Sequence, residues 1–165
     1  MKIKLDGKDC QILELLQENC TLSTKQIAQK VGSPITTVYA KIKRLEELGV
    51  IKGYTAVLDS KKLNMGTTAL IFISFLYDSD VMSQREAAAK VAMMEQVQDV
   101  YIVTGDWDIL IKVRAKNVDE IGDFVIDRLR KLHGVEKTYT MFVFDTRKES
   151  TKVDLTHAVA NVKKK

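Results

Sequence analysis

The stretch Ser23–Ile51, STKQIAQKVGSPITTVYAKIKRLEELGVI, decides how the chain is read. Ser23 or Thr24 can cap a short helix, and Ile27, Ala28 and Val31 recur at helical spacing to give it one apolar face. Gly32, Ser33 and Pro34 then make a corner. Gly32 tolerates an unusual backbone angle, Ser33 is the expected N-cap, and Pro34 suits the first helical position. On the following helix Ile35, Val38, Ile42 and Leu45 stand at i, i+3, i+7 and i+10, a single apolar stripe. Gly49 is the expected C′ residue, with Val50 folding back onto the last turn.

Toward the N-terminus, DGKDCQILELLQEN (6–19) places Ile12, Leu13, Leu15 and Leu16 near helical spacing, with Asp6 as N-cap and acids in the first turn. Three short helices with a tight turn before the third form a helix-turn-helix unit. Its core is complete without the opposite face of the third helix. A step of 100° per residue from Val38 puts Thr36, Ala40 and Lys43 on that opposite face. Thr37, Tyr39 and Arg44 fall on its flanks, and Lys41 near the buried edge.

Toward the C-terminus the grammar changes. IKGYTAVLD (51–59) alternates and reads as a connecting strand. GTTALIFISFLYD (66–78) is rich in β-branched and aromatic residues, as a strand requires. SQREAAAKVAMMEQV (83–97) reads as a helix, DVYIVTG (99–105) and WDILIKVRA (107–115) as strands around a tight turn. A further helix is expected over 117–132, with Asn117 as cap and Gly134 as C′, and a last strand over 135–146. The order β-α-β-β-α-β is faintly doubled, with Val97 and Val100 matched by Leu132 and Val135. It corresponds to a ferredoxin-like sheet with two helices on one face. Ala69, Ile71, Ile73 and Phe75 alternate with Leu70, Phe72 and Leu76, so both faces of the first strand are apolar and the second face is expected to meet another subunit.

Composition excludes some classes. Of 165 residues, 45% are apolar and 29% charged, ordinary values for a globular protein. The opening MKIKLDGKDC has no apolar stretch of the signal-peptide kind, and no apolar run approaches about 18 residues, so a cytoplasmic protein without membrane association is expected. Cys10 and Cys20 on one helix would lie about 15 Å apart, beyond disulfide reach. With only His133 and His157 besides, no zinc-ligand spacing exists, and no cofactor is expected. Residues 1–60 hold nine Lys and Arg against seven Asp and Glu, and residues 61–165 hold seventeen against fifteen. A surplus of two in each part does not announce a nucleic-acid binder, so local placement must carry that reading. The closing run at 163–165 reads as a solvated tail.

Several segments together carry a family resemblance: LDGKDCQILELLQEN, IAQKVGSPITTVYAKIKRLEELGVIKGYTAVLD, VYIVTGDWDILIKV and HGVEKTYTMFVF, spanning roughly residues 5–146. The chain resembles the Lrp/AsnC, or feast/famine, transcription regulators. The resemblance implies a DNA-binding domain over 1–50, a connecting strand and linker over 51–65, and an effector-binding and oligomerisation domain with a tail over 66–165. It also implies homodimers that assemble further, often to octamers, and an amino-acid effector held between them. One departure is that Ser33-Pro34 stands where the family has Leu-Ser, which shifts the cap by one residue.

In this frame Thr36, Thr37 and Ala40 are the candidate base-reading residues, since hydroxyls, methyls and a small side chain suit base edges, and Tyr39 on the flank is a further DNA-binding candidate. Lys41, Lys43 and Arg44 are candidates for phosphate, with Ser33 and Lys25 as further backbone contacts. The loop TGDWD is the candidate effector site: Thr104, Gly105, Asp106, Trp107 and Asp108. Its turn amides can receive a carboxylate and its aspartates an ammonium group. The resemblance adds Thr138 and Thr140 on the last strand of a neighbouring subunit, and Trp107 replaces the family's more usual Tyr. No Ser-His-Asp or Cys-His arrangement and no phosphate-binding loop accompanies Asp106 and Asp108, which disfavours a catalytic role. His133, beside Gly134 at a helix end, reads as structural. Two competing readings are a tetrapyrrole-handling enzyme of the sirohaem decarboxylase kind, which shares this outline, and a DNA-compacting protein of low sequence preference.

Overall fold

The computed structural model describes residues 3–76, 83–156 and 158. The chain divides into two compact units: one ends at Val57 and takes in the segment beginning at Glu149, and the other spans Leu58–Lys148.

Three helices build the first unit: α1 (Gly7–Glu18), α2 (Thr24–Val31) and α3 (Ile35–Glu47). Local chemistry starts the first two. Asp6 and Asp9 form a reciprocal capping box on α1, and Ser23 and Gln26 form another on α2. Each such cap satisfies amides that the helix leaves orphaned and contributes about 1 kcal/mol. Ile12, Ile27, Ala28, Val31 and Val38 are the buried centre, with Leu15, Leu16, Leu22 and Ile42 packed around them.

The corner differs from its expected form by one residue. Gly32 adopts the left-handed conformation (φ +59°, ψ +51°) as the C-cap of α2, and the Ser33 amide donates to Ala28 O at 3.1 Å. That bond closes the end of α2, and Pro34, extended at ψ 145°, becomes the N-cap of α3 in place of Ser33. No side chain caps this helix start. Ile35, expected on the buried stripe, is 49% exposed because the helix has only just begun there. The far end matches expectation: Gly49 N–H donates to Glu46 O and Val50 N–H to Leu45 O, both at 2.9 Å, the paired bonds of a Schellman ending.

Residues 51–59, expected as a connecting strand, join no sheet among the described residues, and a turn follows at 60–64. A strand needs a partner ladder, and the single chain offers none at this segment.

The second unit contains β1 (Thr67–Phe75), α4 (Gln84–Ala92), β2 (Val97–Ile102), β3 (Ile109–Ala115), α5 (Val118–Asp123) and β4 (Val135–Phe142). The last turns of α5 widen into a π-helical stretch, Phe124–Leu129. The sheet runs β2-β3-β1-β4 with every neighbouring pair antiparallel, the ferredoxin-like order. The expected strand end at 77–78, His157 and the terminal lysine run lie outside the described residues. α4 stops at Ala92, short of the expected 97, and β2 starts at Val97, before the expected 99, while β2 and β4 stop short of their expected ends and β3 starts later than expected.

Alternation decides the layers. Ala69, Ile71, Ile73 and Phe75 of β1, with Ile109, Ile111, Val113 and Ala115 of β3, form one buried face against Ala87, Val91, Ile121, Phe124 and Leu129 of the helices. Each large side chain so buried contributes about 1.5–3 kcal/mol. Val97, Val100, Leu132 and Val135, the echoed pairs of the two halves, all pack on this core. The other face carries Leu70, Phe72, Leu110, Tyr139 and Met141, half-buried or exposed in the single chain.

Candidate nucleic-acid interface and effector loop

Helix α3 presents the polar face its spacing predicts. Val38 and Leu45 are fully buried, whereas Thr36, Thr37, Tyr39, Ala40, Lys43 and Arg44 are exposed and Lys41 is half-buried. An open concavity lined by Thr36, Thr37, Ala40, Lys41 and Arg44 runs along this face. Lys25, at the start of α2, is exposed, and Ser33 sits half-buried in the corner.

Three of the cationic candidates on α3 differ in what they touch. Lys41 Nζ donates to Asp6 Oδ2 at 2.5 Å and to Asp9 Oδ1 at 2.9 Å, while Arg44 Nη2 donates to Asp9 Oδ2 at 2.8 Å. Asp9 is wholly buried and also accepts the Asp6 amide at 2.9 Å. A buried carboxylate without cations would be costly, so α1 must take these two charges from α3. The hydrogen bond from Lys41 is the main reason the Asp6 carboxyl lies below its ordinary range. Burial pulls the Lys41 ammonium down, but its bonds to Asp6 and Asp9 outweigh that and leave it raised. Lys43 faces solvent with no such acidic partner among the described contacts.

Asp6 and Asp9 were read from sequence only as a cap and a first-turn acid. A stronger signal was present. Asp9 stands three and four residues before Ile12 and Leu13, on the apolar stripe of α1, and an acid in that position requires a cation.

The second candidate site, the loop between β2 and β3, closes by Val103 N–H donating to Asp108 O at 2.9 Å. Thr104, Gly105 and Asp106 are exposed, and Gly105 holds φ +113°. Asp108 is differently engaged from the ammonium contact expected of it. Its Oδ2 accepts the Phe75 amide at 2.8 Å and its Oδ1 accepts Gln84 Nε2 at 2.6 Å, so it ties the loop to the end of β1 and the start of α4. Trp107 stacks on Tyr139 with ring centroids 6.0 Å apart and tilts against Phe72 at 6.0 Å. That aromatic cluster lies on the sheet face away from the helices.

Thr138 and Thr140 are not brought to the loop within one chain. They pair with Ile73 and Ile71, so they share the helix-covered face, the side opposite Trp107 and Tyr139. Thr138 Oγ1 accepts from Arg130 Nε at 3.3 Å. Among the described residues no group of acids, cysteines and histidines could hold a metal ion.

A compact helix-turn-helix unit with an exposed third helix, joined to a ferredoxin-like unit, defines a DNA-binding protein with an appended sensory domain. Comparison with known proteins agrees. Residues 5–52 match the winged helix-turn-helix DNA-binding family, and residues 68–153 match the Lrp/AsnC ligand binding domain. An uncharacterised helix-turn-helix-type transcriptional regulator of Pyrococcus abyssi is 46% identical over 145 residues, 88% of this chain and 96% of that protein. The regulator FL11 of Pyrococcus horikoshii is 32% identical, covering 94% and 99%. A transcriptional regulator of Neisseria meningitidis, solved as a complex with L-methionine, superposes with a TM-score of 0.87 at 30% identity, covering 94% of this chain and all of the other. The chain belongs to the Lrp/AsnC family and is a DNA-binding transcription regulator.

Proposed function

We propose that the chain recognises a particular duplex sequence as an assembly of identical subunits, and that an amino acid bound at the Thr104–Asp108 loop tunes this recognition. Thr36, Thr37, Tyr39 and Ala40 meet base edges, and Lys43, Lys25 and Ser33 meet phosphates. The observation that carries the reading is the exposed polar face of α3 opposite the buried Val38 and Leu45. Few cations are available per subunit, so useful affinity requires several subunits on one DNA. A homodimer, assembling further toward an octamer, meets that need. The apolar outer sheet face, with Phe72, Tyr139 and Met141 partly uncovered, supports subunit contact there.

For the effector, the L-methionine complex of the Neisseria regulator supports an amino acid. Exposed Asp106 suits its ammonium group and the amides around Gly105 its carboxylate. Asp108 and Trp107 act here by holding the loop, and Thr138 and Thr140 join such a site only from a neighbouring subunit. The names of the relatives, all transcriptional regulators, favour a non-enzymatic protein working where the chromosome lies, in the cytoplasm. No helix among the described residues is long and apolar enough to cross a membrane.

The test is the double variant Thr36→Ala, Lys43→Ala in a DNA-binding titration. The reading expects weaker affinity and a shallower salt dependence than wild type. Unchanged affinity and slope would place the DNA contact elsewhere.

A further inference from the structure

We infer that Asp6 and Asp9 form an acidic latch that holds Lys41 off the DNA, making Asp6 a specificity-determining residue. The inference rests on the reading of α3 as the DNA-facing helix. Lys41 lies on the rim of the concavity lined by Thr36, Thr37, Ala40 and Arg44, a place from which an extended ammonium group would reach phosphate. It is turned back instead. Its Nζ lies 2.5 Å from Asp6 Oδ2 and 2.9 Å from Asp9 Oδ1, and its side chain is only 21% exposed.

The two carboxylates have different duties. Asp9, fully buried, needs cations wherever the protein is, bound to DNA or not, and Arg44 at 2.8 Å supplies the other one. Arg44 is 46% exposed and has further N–H donors, so it can serve Asp9 and still face DNA. A lysine has one charge centre and cannot be shared in that way. Asp6, 58% exposed, adds a second negative charge to an ammonium group that Asp9 already holds. The two acids balance the charges of Lys41 and Arg44, so the attraction of this helix for a phosphate backbone is reduced to that of Lys43. Sequence-blind attraction is the part of binding that phosphate contacts supply, so its suppression leaves discrimination to the Thr and Ala contacts.

The design of the cap permits a clean test. Asn is as good an N-cap as Asp, so Asp6→Asn keeps the start of α1 while removing the charge beside Lys41. Binding of the full chain to a scrambled duplex and to its own upstream duplex is followed across a salt series for wild type, Asp6→Asn and Lys41→Gln. Thermal melts confirm that each variant is folded. The latch predicts that Asp6→Asn, in which Lys41 answers to Asp9 alone and the face gains one net positive charge, binds the scrambled duplex several-fold more tightly, with a steeper salt slope. It also predicts a smaller preference for the upstream duplex, and an unchanged slope for Lys41→Gln. A slope shallower by about 0.9 in Lys41→Gln, the increment for one phosphate, makes Lys41 a phosphate ligand and overturns the latch, as does an Asp6→Asn protein indistinguishable from wild type. Wild type that binds neither duplex removes the DNA reading of α3 itself, and the latch with it. That failure is distinct, because it appears before any variant is compared.

Discussion

The carboxylate of Asp9 and the guanidinium of Arg44, thirty-five positions apart in sequence, meet at 2.8 Å across the interface of α1 and α3. The arrangement is asymmetric. Asp9 has no exposure, whereas Arg44 is 46% exposed and Lys41 21%. Losing the acid therefore leaves cations that water can reach, but losing the cations strands a buried charge. Lys41→Met with Arg44→Met should cost about 3–5 kcal/mol, and Asp9→Asn only about 1–3 kcal/mol. Urea denaturation of the two variants checks the order, and an Asp9→Asn protein the less stable of the two would refute the asymmetry.

The same latch has a pH signature. The Asp6 carboxyl is lowered from its ordinary value of 3.8, chiefly by the Lys41 hydrogen bond, so its stabilising contribution is full above that value and disappears as pH falls through the lowered one. Denaturant midpoints should be flat across neutral pH and fall in acid. In Asp6→Asn that part of the acid loss should be absent. An identical acid limb in both proteins would contradict the assignment.

Trp107 is the single tryptophan of the chain, and its stacking on Tyr139 makes it a built-in reporter of the loop. Tyr139→Ala should shift its emission to longer wavelength as water reaches the indole, and cost about 0.5–1.5 kcal/mol beyond the lost apolar area. An amino acid bound at the loop should change the same emission in wild type. A saturating pool of amino acids that leaves the spectrum untouched would count against the loop as the effector site.

Gly105 separates backbone strain from crowding. Beyond its two chain neighbours, no atom lies within 4 Å of where its Cβ would be, yet φ is +113°, a conformation that L residues rarely adopt. Gly105→Ala should destabilise the second unit by about 1–3 kcal/mol through the backbone alone. Calorimetry on the full chain would show it, and a melting temperature equal to wild type would mean the loop relaxes at no cost.

How much of this was legible beforehand follows from range. Asp6, Ser23, Asn117 and Gly49 were readable as helix ends because each acts within four residues of itself. The Ile alternation in β1 and β3 was readable because period two assigns every residue a face. What acts across the fold was not readable. Asp9 finds Lys41 and Arg44 only once α1 and α3 pack, and Asp108 finds the Phe75 amide only once the sheet is formed. Thr138 and Thr140 are tied to the loop only through the resemblance, which draws them from a neighbouring subunit; within one chain the β1–β4 register sets them on the helix-covered face. Residues 51–59 alternate like a strand, yet alternation supplies no ladder partner. The widening of α5 into π turns at Phe124–Leu129 had no local mark.

The central claim is that α3 reads DNA sequence and that an amino acid modulates the reading. Fluorescence anisotropy on the upstream duplex of the chain's own gene, against a scrambled duplex of equal composition, tests it most directly when repeated at two salt concentrations and with pooled amino acids. The account predicts tighter binding to the upstream duplex, weakening of both as salt rises, and a shift in affinity when the pool is added. Equal affinity for the two duplexes under every condition would contradict it.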